Sequence, residues 1–442
     1  MPEESNVSRR SFLKQSAVGA AAGGFVIIKP ELVRGAGKEL IKAGLIGCGG
    51  RGTGAAANLL SGDANVELIA MGDVFQDKLE ASLKSLNDQK FLSRMAKDVP
   101  QFTKTPLEQL VASMQKRVKV DPERRFVGFD AYQKVINSGV DVVLLCTPPG
   151  HRPLHFEAAI NAGKHVFAEK PIATDPVGVR RFIASCRKAE EKKLTVMTGS
   201  QSRSSKDFVG TIKKLQDGAI GEIVALYSEY LSGPVMHAKR REPEWSDTEW
   251  QHRNWYSFVW ICGDQIVEQH FHNLDRMYML MGTHPARAVA SGGIAWRPRE
   301  ELYGNIYDHM STKFTYANGV VYSSDCRQYQ GAVYRKVDDL AVGAKGRSNL
   351  RDLAEPGLNG QVQEHIDCLK RIRGDGPYVN QGIPVAETTM VAVMARESAY
   401  SGQEVTWDQI MASQLDLYPK EFDYKAKLPE PKLAVPGVYK LV

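Results

Sequence analysis

Long apolar runs, paired cysteines and a dominant charge sign are all missing from this 442-residue chain. Each absence removes a class of protein. A membrane-spanning helix needs roughly 18 to 20 consecutive apolar residues, and the Ala/Gly-rich run from Ala17 to Ile28 is too short to provide one. The six cysteines (Cys48, Cys146, Cys186, Cys262, Cys326, Cys368) lie far apart, with no C-x-x-C pair and no zinc spacing. They read as small buried hydrophobes, so neither a disulfide framework nor a metal site is expected. The net charge of +6 is small and scattered, and residues 1–37 hold five Lys/Arg against three Glu, which accounts for +2 of it. That excludes the concentrated basic surface of a nucleic-acid binder. Internal repeats and low-complexity tracts are lacking too. What remains, 43% hydrophobic and 24% charged residues, is the composition of a soluble globular protein, too long for a single core and suited to two domains with an extension.

The chain opens with an address rather than a fold. Ser8-Arg9-Arg10-Ser11-Phe12-Leu13-Lys14 is a twin-arginine pattern, and the weakly apolar run to Ile28 follows it at signal-peptide length. Residues 1–37 are therefore expected to be signal and linker, and the working protein to lie in the periplasm or otherwise outside the cytoplasm. No integral membrane segment is expected after processing.

From Lys38 the pattern is that of a parallel, doubly wound α/β sheet. The apolar stretch Ala43-Gly44-Leu45-Ile46 leads into glycines, Val66 to Met71 forms a second apolar run, and Val140 to Cys146 and His165 to Ala168 read as further strands. Residues 78–124 are charged and mostly helical (Lys78 to Asn87, Pro106 to Lys116) and read as an insertion at the domain edge. The first domain is placed at 38–171 and a second, α+β domain at 172–442. In the second, alternating segments (Ile223 to Leu231, Met310 to Tyr316, Val320 to Asp325) predict an open mixed sheet, with Asn318-Gly319 as a hairpin turn.

Gly47-Cys48-Gly49-Gly50-Arg51-Gly52 has the spacing G-x-G-x-x-G between a strand and a helix. Glycines there permit a tight turn and close approach of a pyrophosphate, which the helix N-terminus attracts. Asp73 ends the second strand, 21 residues past Gly52, where a carboxylate can accept from both hydroxyls of a ribose. No Arg follows it to receive a 2′-phosphate, so NAD is expected over NADP.

Together with this turn, Cys146-Thr147-Pro148-Pro149, Ala162-Gly163-Lys164-His165-Val166, Glu169-Lys170-Pro171 and His272-Asn273-Leu274-Asp275 resemble the Gfo/Idh/MocA oxidoreductases, from about Lys38 to Ile410. The resemblance implies an N-terminal Rossmann domain, a C-terminal α+β domain whose open sheet mediates homodimers or homotetramers, and a nucleotide held by Gly47, Gly49, Gly50, Arg51, Gly52, Asp73, Thr147, Pro148, His151, Glu169 and Lys170. It also implies that Lys170 lies near the reacting hydroxyl, with an acid/base pair from the segment Glu268-Gln269-His270-Phe271-His272. Glu268 and His270 stand where the family pattern has Asp and Gly. On a regular helix Glu268 and His272 share a face, so the carboxylate is expected to orient the imidazole and raise its pKa. Arg203, Trp255, Tyr256 and His270 are candidate substrate contacts. Trp255 belongs to a run of four tryptophans (Trp245, Trp250, Trp255, Trp260) whose flat faces suit the C–H faces of a sugar or polyol. Hydride transfer at a sugar or cyclitol CH–OH group is the activity implied. A redox-neutral NAD-dependent glycosidase and a non-catalytic sugar-binding protein are the alternatives.

Overall fold

A computed structural model describes residues 39–441, apart from 236–237, 421–422, 426 and 429. The twin-arginine segment lies outside the described residues.

The first sheet is wholly parallel: β1 (Ile41–Ile46), β2 (Val66–Asp73), β3 (Arg125–Val127), β4 (Val142–Leu145), β5 (His165–Ala168) and β6 (Val196–Thr198), in the order β3-β2-β1-β4-β5-β6. Its central strands are continuous apolar runs because helices cover both faces. Leu45, Leu68, Leu144 and Phe167 pack toward the helices Gly50–Gly62 and Gly360–Ile372. Val143, Leu145, Val166 and Ala168 pack toward Arg152–Asn161 and Pro176–Glu191. The inserted stretch between β2 and β3 is helical as expected (Gln76–Leu86, Leu107–Lys116), with a further helix, Gln89–Ala96, capped by the Asp88 side chain.

The expected domain boundary at 171 needs correcting. β6 pairs with β5 in the first sheet, so that sheet continues to Thr198. A buried three-residue strand carries too little pattern to declare which sheet it joins.

The second sheet is mixed. Its strands are β7 (Ile223–Ser232), β8 (Arg287–Gly293), β9 (His309–Thr315), β10 (Val321–Gln328), β11 (Lys336–Gly343), β12 (Gly346–Ser348) and β13 (Val405–Thr406), in the order β12-β11-β7-β10-β9-β8-β13. β10 runs parallel to β7 and antiparallel to β9, joined to the latter through Asn318-Gly319 with Gly319 at φ +86°. Strict alternation along β9 and β10 buries Met310, Phe314, Tyr322 and Cys326 against the helices Phe271–Met281 and Gly382–Ser401. The other face leaves Tyr227, Val289 and Val321 exposed. Among the described residues no helix is long and apolar enough to cross a membrane.

Candidate active site

The carboxyl ends of β1, β2, β4 and β5 deliver Gly47, Asp73, Thr147 and Glu169 to one edge of the first sheet, which borders a cleft of about 890 Å³. Open α/β sheets bind ligands at this edge. The glycines of the turn do different things. A Cβ on Gly47, which sits at φ +95°, would lie 2.6 Å from the Cys146 carbonyl carbon and the Thr147 nitrogen, and one on Gly52 would lie 1.9 Å from the Gly47 oxygen. Those two let strand, turn and helix touch. Gly49 and Gly50 have nothing within 4 Å of a Cβ and border the cleft. The helix they open has no side-chain cap and no acidic residue in its first turn, which leaves its N–H groups and positive dipole end to an anion.

Asp73 is tied to this turn. Its Oδ2 accepts from Cys48 N at 2.6 Å and its Oδ1 from Phe75 N at 2.9 Å. Burial raises its pKa, and the two backbone N–H groups work against that. Each oxygen keeps a further lone pair for a ribose hydroxyl. Open glycines, an uncapped helix end and a fixed carboxylate fit a dinucleotide.

Thr147, Pro148 and His151 continue the wall. Arg152, 3% exposed, holds this loop by donating to the carbonyls of Thr147 and Pro171. The Arg51 side chain forms an ion pair with Glu169, Nε to Oε1 at 2.5 Å. Space for that carboxylate exists because residue 199 is glycine; a Cβ there would lie 2.4 Å from Glu169 Oε2.

The same cleft is lined by Lys170, Glu268 and His272. Lys170 Nζ donates to the Glu268 carbonyl at 2.8 Å and lies 3.4 Å from its Oε1. The other carboxylate oxygen accepts from Gln269 Nε2, and Gln269 Oε1 accepts from Tyr230 Oη at 2.8 Å. The expected pairing of Glu268 with His272 is absent: no hydrogen bond joins them among the described residues, and the carboxylate serves Lys170 instead. Ile266–His270 is a π-helical turn running into the α-helix Phe271–Met281, so the i, i+4 register of a regular helix does not hold. The expected upward shift of His272 is also reversed. Its pKa lies well below the usual value because burial, and then the cations Lys170 and Arg276, disfavour the charged ring. It stands in the cleft as a neutral imidazole.

Three proposed substrate contacts lie elsewhere. Arg203 Nη2 pairs with Asp275 Oδ1 at 2.7 Å, and Asp275 also accepts from Ser200 and Thr388. Tyr256 is 3% exposed and its hydroxyl accepts from Gln328 Nε2 at 2.8 Å. His270 is fully buried, its Nε2 2.5 Å from Ser324 Oγ. Trp255 borders the cleft, while Trp250 packs into a small aromatic cluster with its neighbours. Glu268 and His272 border the cleft while His270 is buried beside Ser324, and no cluster of metal-binding side chains occurs among the described residues. Lys239, His252 and Tyr418 also border the cleft. Nothing in the local sequence around these three signals a site, because remote elements bring them there.

Residues 41–200 match the family model of the Gfo/Idh/MocA oxidoreductases, described as "Oxidoreductase family, NAD-binding Rossmann fold". The first domain is accordingly an NAD-binding Rossmann domain. Among curated relatives, the chain is 26% identical over 157 residues to inositol 2-dehydrogenase of Rhizobium meliloti (strain 1021), covering 35% of this chain and 41% of that protein. It is 26% identical over 234 residues to scyllo-inositol 2-dehydrogenase (NADP(+)) IolW of Bacillus subtilis (strain 168), covering 52% and 58%. The chain thus spans about two fifths to three fifths of the length of these relatives. The crystal structure of scyllo-inositol dehydrogenase from Lactobacillus casei with bound NAD(H) and scyllo-inositol superposes with a TM-score of 0.60 at 16% identity, over 83% of this chain and 99% of that one. The fold is shared over that span.

Proposed function

We propose that this chain is an NAD-dependent oxidoreductase acting on a CH–OH group of a sugar or cyclitol. The observation that carries the reading is the presence of Lys170, Glu268 and His272 on the same cleft as the glycine turn and Asp73. The inositol dehydrogenases among the relatives favour a cyclitol or similar polyol. NAD, when bound, supplies the hydride acceptor at its nicotinamide ring. Gly49 and Gly50 receive its pyrophosphate on the turn that Gly47 and Gly52 make possible, and Asp73 takes the adenosine ribose hydroxyls while repelling a 2′-phosphate. Lys170 donates to the substrate oxygen and stabilises the developing alkoxide. His272, kept neutral, accepts the hydroxyl proton at a ring nitrogen. Glu268 fixes Lys170, and Trp255 offers an apolar face to the substrate's C–H surface.

Two further properties belong to this reading. The twin-arginine pattern Arg9-Arg10 supports a site of action outside the cytoplasm, where no pool of free NAD is maintained, and on that reading the nucleotide is held through turnover. The open face of the second sheet, with Tyr227, Val289 and Val321, joins copies into a homodimer or homotetramer.

The test starts with protein purified without added nucleotide, denatured and assayed for NAD, followed by absorbance at 340 nm with a panel of polyols, sugars and glycosides. Released NAD and a rise in absorbance with a polyol are expected. Lys170→Met and His272→Ala should retain nucleotide while turnover drops by about 10² or more. Near-normal rates in both variants would overturn the site. Cleavage of a glycoside without net absorbance change would establish the redox-neutral glycosidase instead.

A further inference from the structure

Residues 415–420 and Tyr424 of the C-terminal chain lie beside the cleft and the Asp73 strand end. The Leu415 carbonyl accepts from Val177 N at 3.4 Å, and Leu417 N donates to Asp175 Oδ2 at 3.1 Å. These contacts set Tyr418, Pro419 and Lys420 on the cleft wall. Further along, Tyr424 Oη donates to the Val74 carbonyl at 2.5 Å, next to Asp73, and its ring lies 4.6 Å from that of Phe129. From the second domain Arg253 reaches the same end, pairing with Asp77 at 3.2 Å and lying 4.0 Å over the Phe75 ring.

Tyr418 is held by a chain of hydrogen bonds whose directions follow from one carbonyl. His252 Nδ1 lies 2.6 Å from Thr248 O. A carbonyl only accepts, so Nδ1 carries the proton and Nε2 of the neutral ring is an acceptor. His151 Nε2, 3.0 Å from it, must then donate. That leaves His151 Nδ1 to accept from Tyr418 Oη at 3.1 Å. Burial keeps both rings neutral, with His252 lowered to about 4 and His151 also displaced downward, so the chain stays intact at neutral pH.

We propose that Tyr418 is a residue of the nucleotide site and that residues 415–420, together with the Tyr424 anchor, form a clasp over the bound dinucleotide that must open before nucleotide can leave. The proposal rests on the reading of this cleft as the NAD site. Opening this end of the cleft breaks the Tyr418–His151 and Tyr424–Val74 hydrogen bonds, so a protein lacking both hydroxyls should exchange nucleotide faster while keeping its ring packing.

The experiment loads wild-type protein, Tyr418→Phe, Tyr424→Phe and the double variant with NADH, and follows loss of bound-NADH fluorescence in a stopped flow after adding excess NAD. At least tenfold faster release from the double variant is expected, with intermediate rates for the single variants. In wild-type protein, amide hydrogen exchange across residues 415–420 should slow when NAD is added. Wild-type protein that binds no NADH would overturn the nucleotide reading and the clasp with it. Protein that binds NADH but releases it at one rate in all variants, or whose segment exchanges alike with and without NAD, would overturn the clasp alone.

Discussion

Within one turn, glycine is required for two separate reasons, and substitution should separate them. At Gly47 a side chain meets backbone at 2.6 Å and the backbone sits at φ +95°, so Gly47→Ala should cost about 1 to 3 kcal/mol or more. The melting temperature without nucleotide should drop by several degrees. At Gly49 a methyl meets no protein atom within 4 Å, so Gly49→Ala should melt like wild type yet weaken NAD binding by about tenfold or more, from loss of the close backbone approach. Calorimetric titration with NAD decides this, and unchanged affinity would remove Gly49 from the pyrophosphate site. The G-x-G-x-x-G spacing was legible because it depends on backbone constraints within six residues. Which glycine faces ligand and which faces protein was not legible, since Cys146 and Thr147, in the loop after β4, supply the atoms that oppose Gly47.

Elements are tied together by residues that looked like substrate contacts. Arg203 follows β6 and reaches Asp275 on the helix Phe271–Met281, and Asp275 also holds Thr388 on the helix Gly382–Ser401. The side chains are 13% and 1% exposed, so removing the guanidinium strands a buried carboxylate. Arg203→Ala should therefore lose about 3 to 5 kcal/mol in urea unfolding, while KM for the substrate in the folded fraction stays within about threefold. A large rise in KM without loss of stability would return Arg203 to the substrate site. An arginine after a strand at the cleft edge is ambiguous in sequence, because its reach covers both the cleft and the neighbouring helix.

Across the molecule, buried ionisable groups oppose one another as pH falls. His155, His252 and His270 are lowered to about 3, 4 and 3, whereas Asp264 is raised to about 6, in each case chiefly by burial. A lowered histidine leaves the folded state with fewer protons than the unfolded chain once pH drops below 6.5, so its contribution to stability is lost from there down to the folded pKa. A raised aspartate acts in the opposite sense between about 6 and 3.8. The net slope is thus a poor reporter, and a variant difference isolates one group. Relative to wild type, His270→Gln should gain about 2 kcal/mol between pH 7.5 and 5.0, at about 1.4 kcal/mol per pH unit below 6.5. Urea unfolding of both proteins at the two pH values measures it, and an equal loss in both would mean that His270 is protonated in the folded state.

Local order determined a good deal: the glycine turn, the helix Pro176–Glu191, the β9–β10 hairpin and the placing of Glu169-Lys170 at a strand end all rest on interactions among near neighbours in the chain. Backbone sterics and side-chain periodicity act over that range and leave their mark in the sequence. The tertiary structure alone decided that β6 completes the first sheet and that Glu268 serves Lys170 rather than His272. It also decided that His151 meets His252 and Tyr418 across 101 and 267 residues of chain. The sign of the His272 shift belongs with these, because desolvation and the positions of Lys170 and Arg276 are set by packing, and no pattern of residue types specifies how deeply a group is buried or which charge faces it.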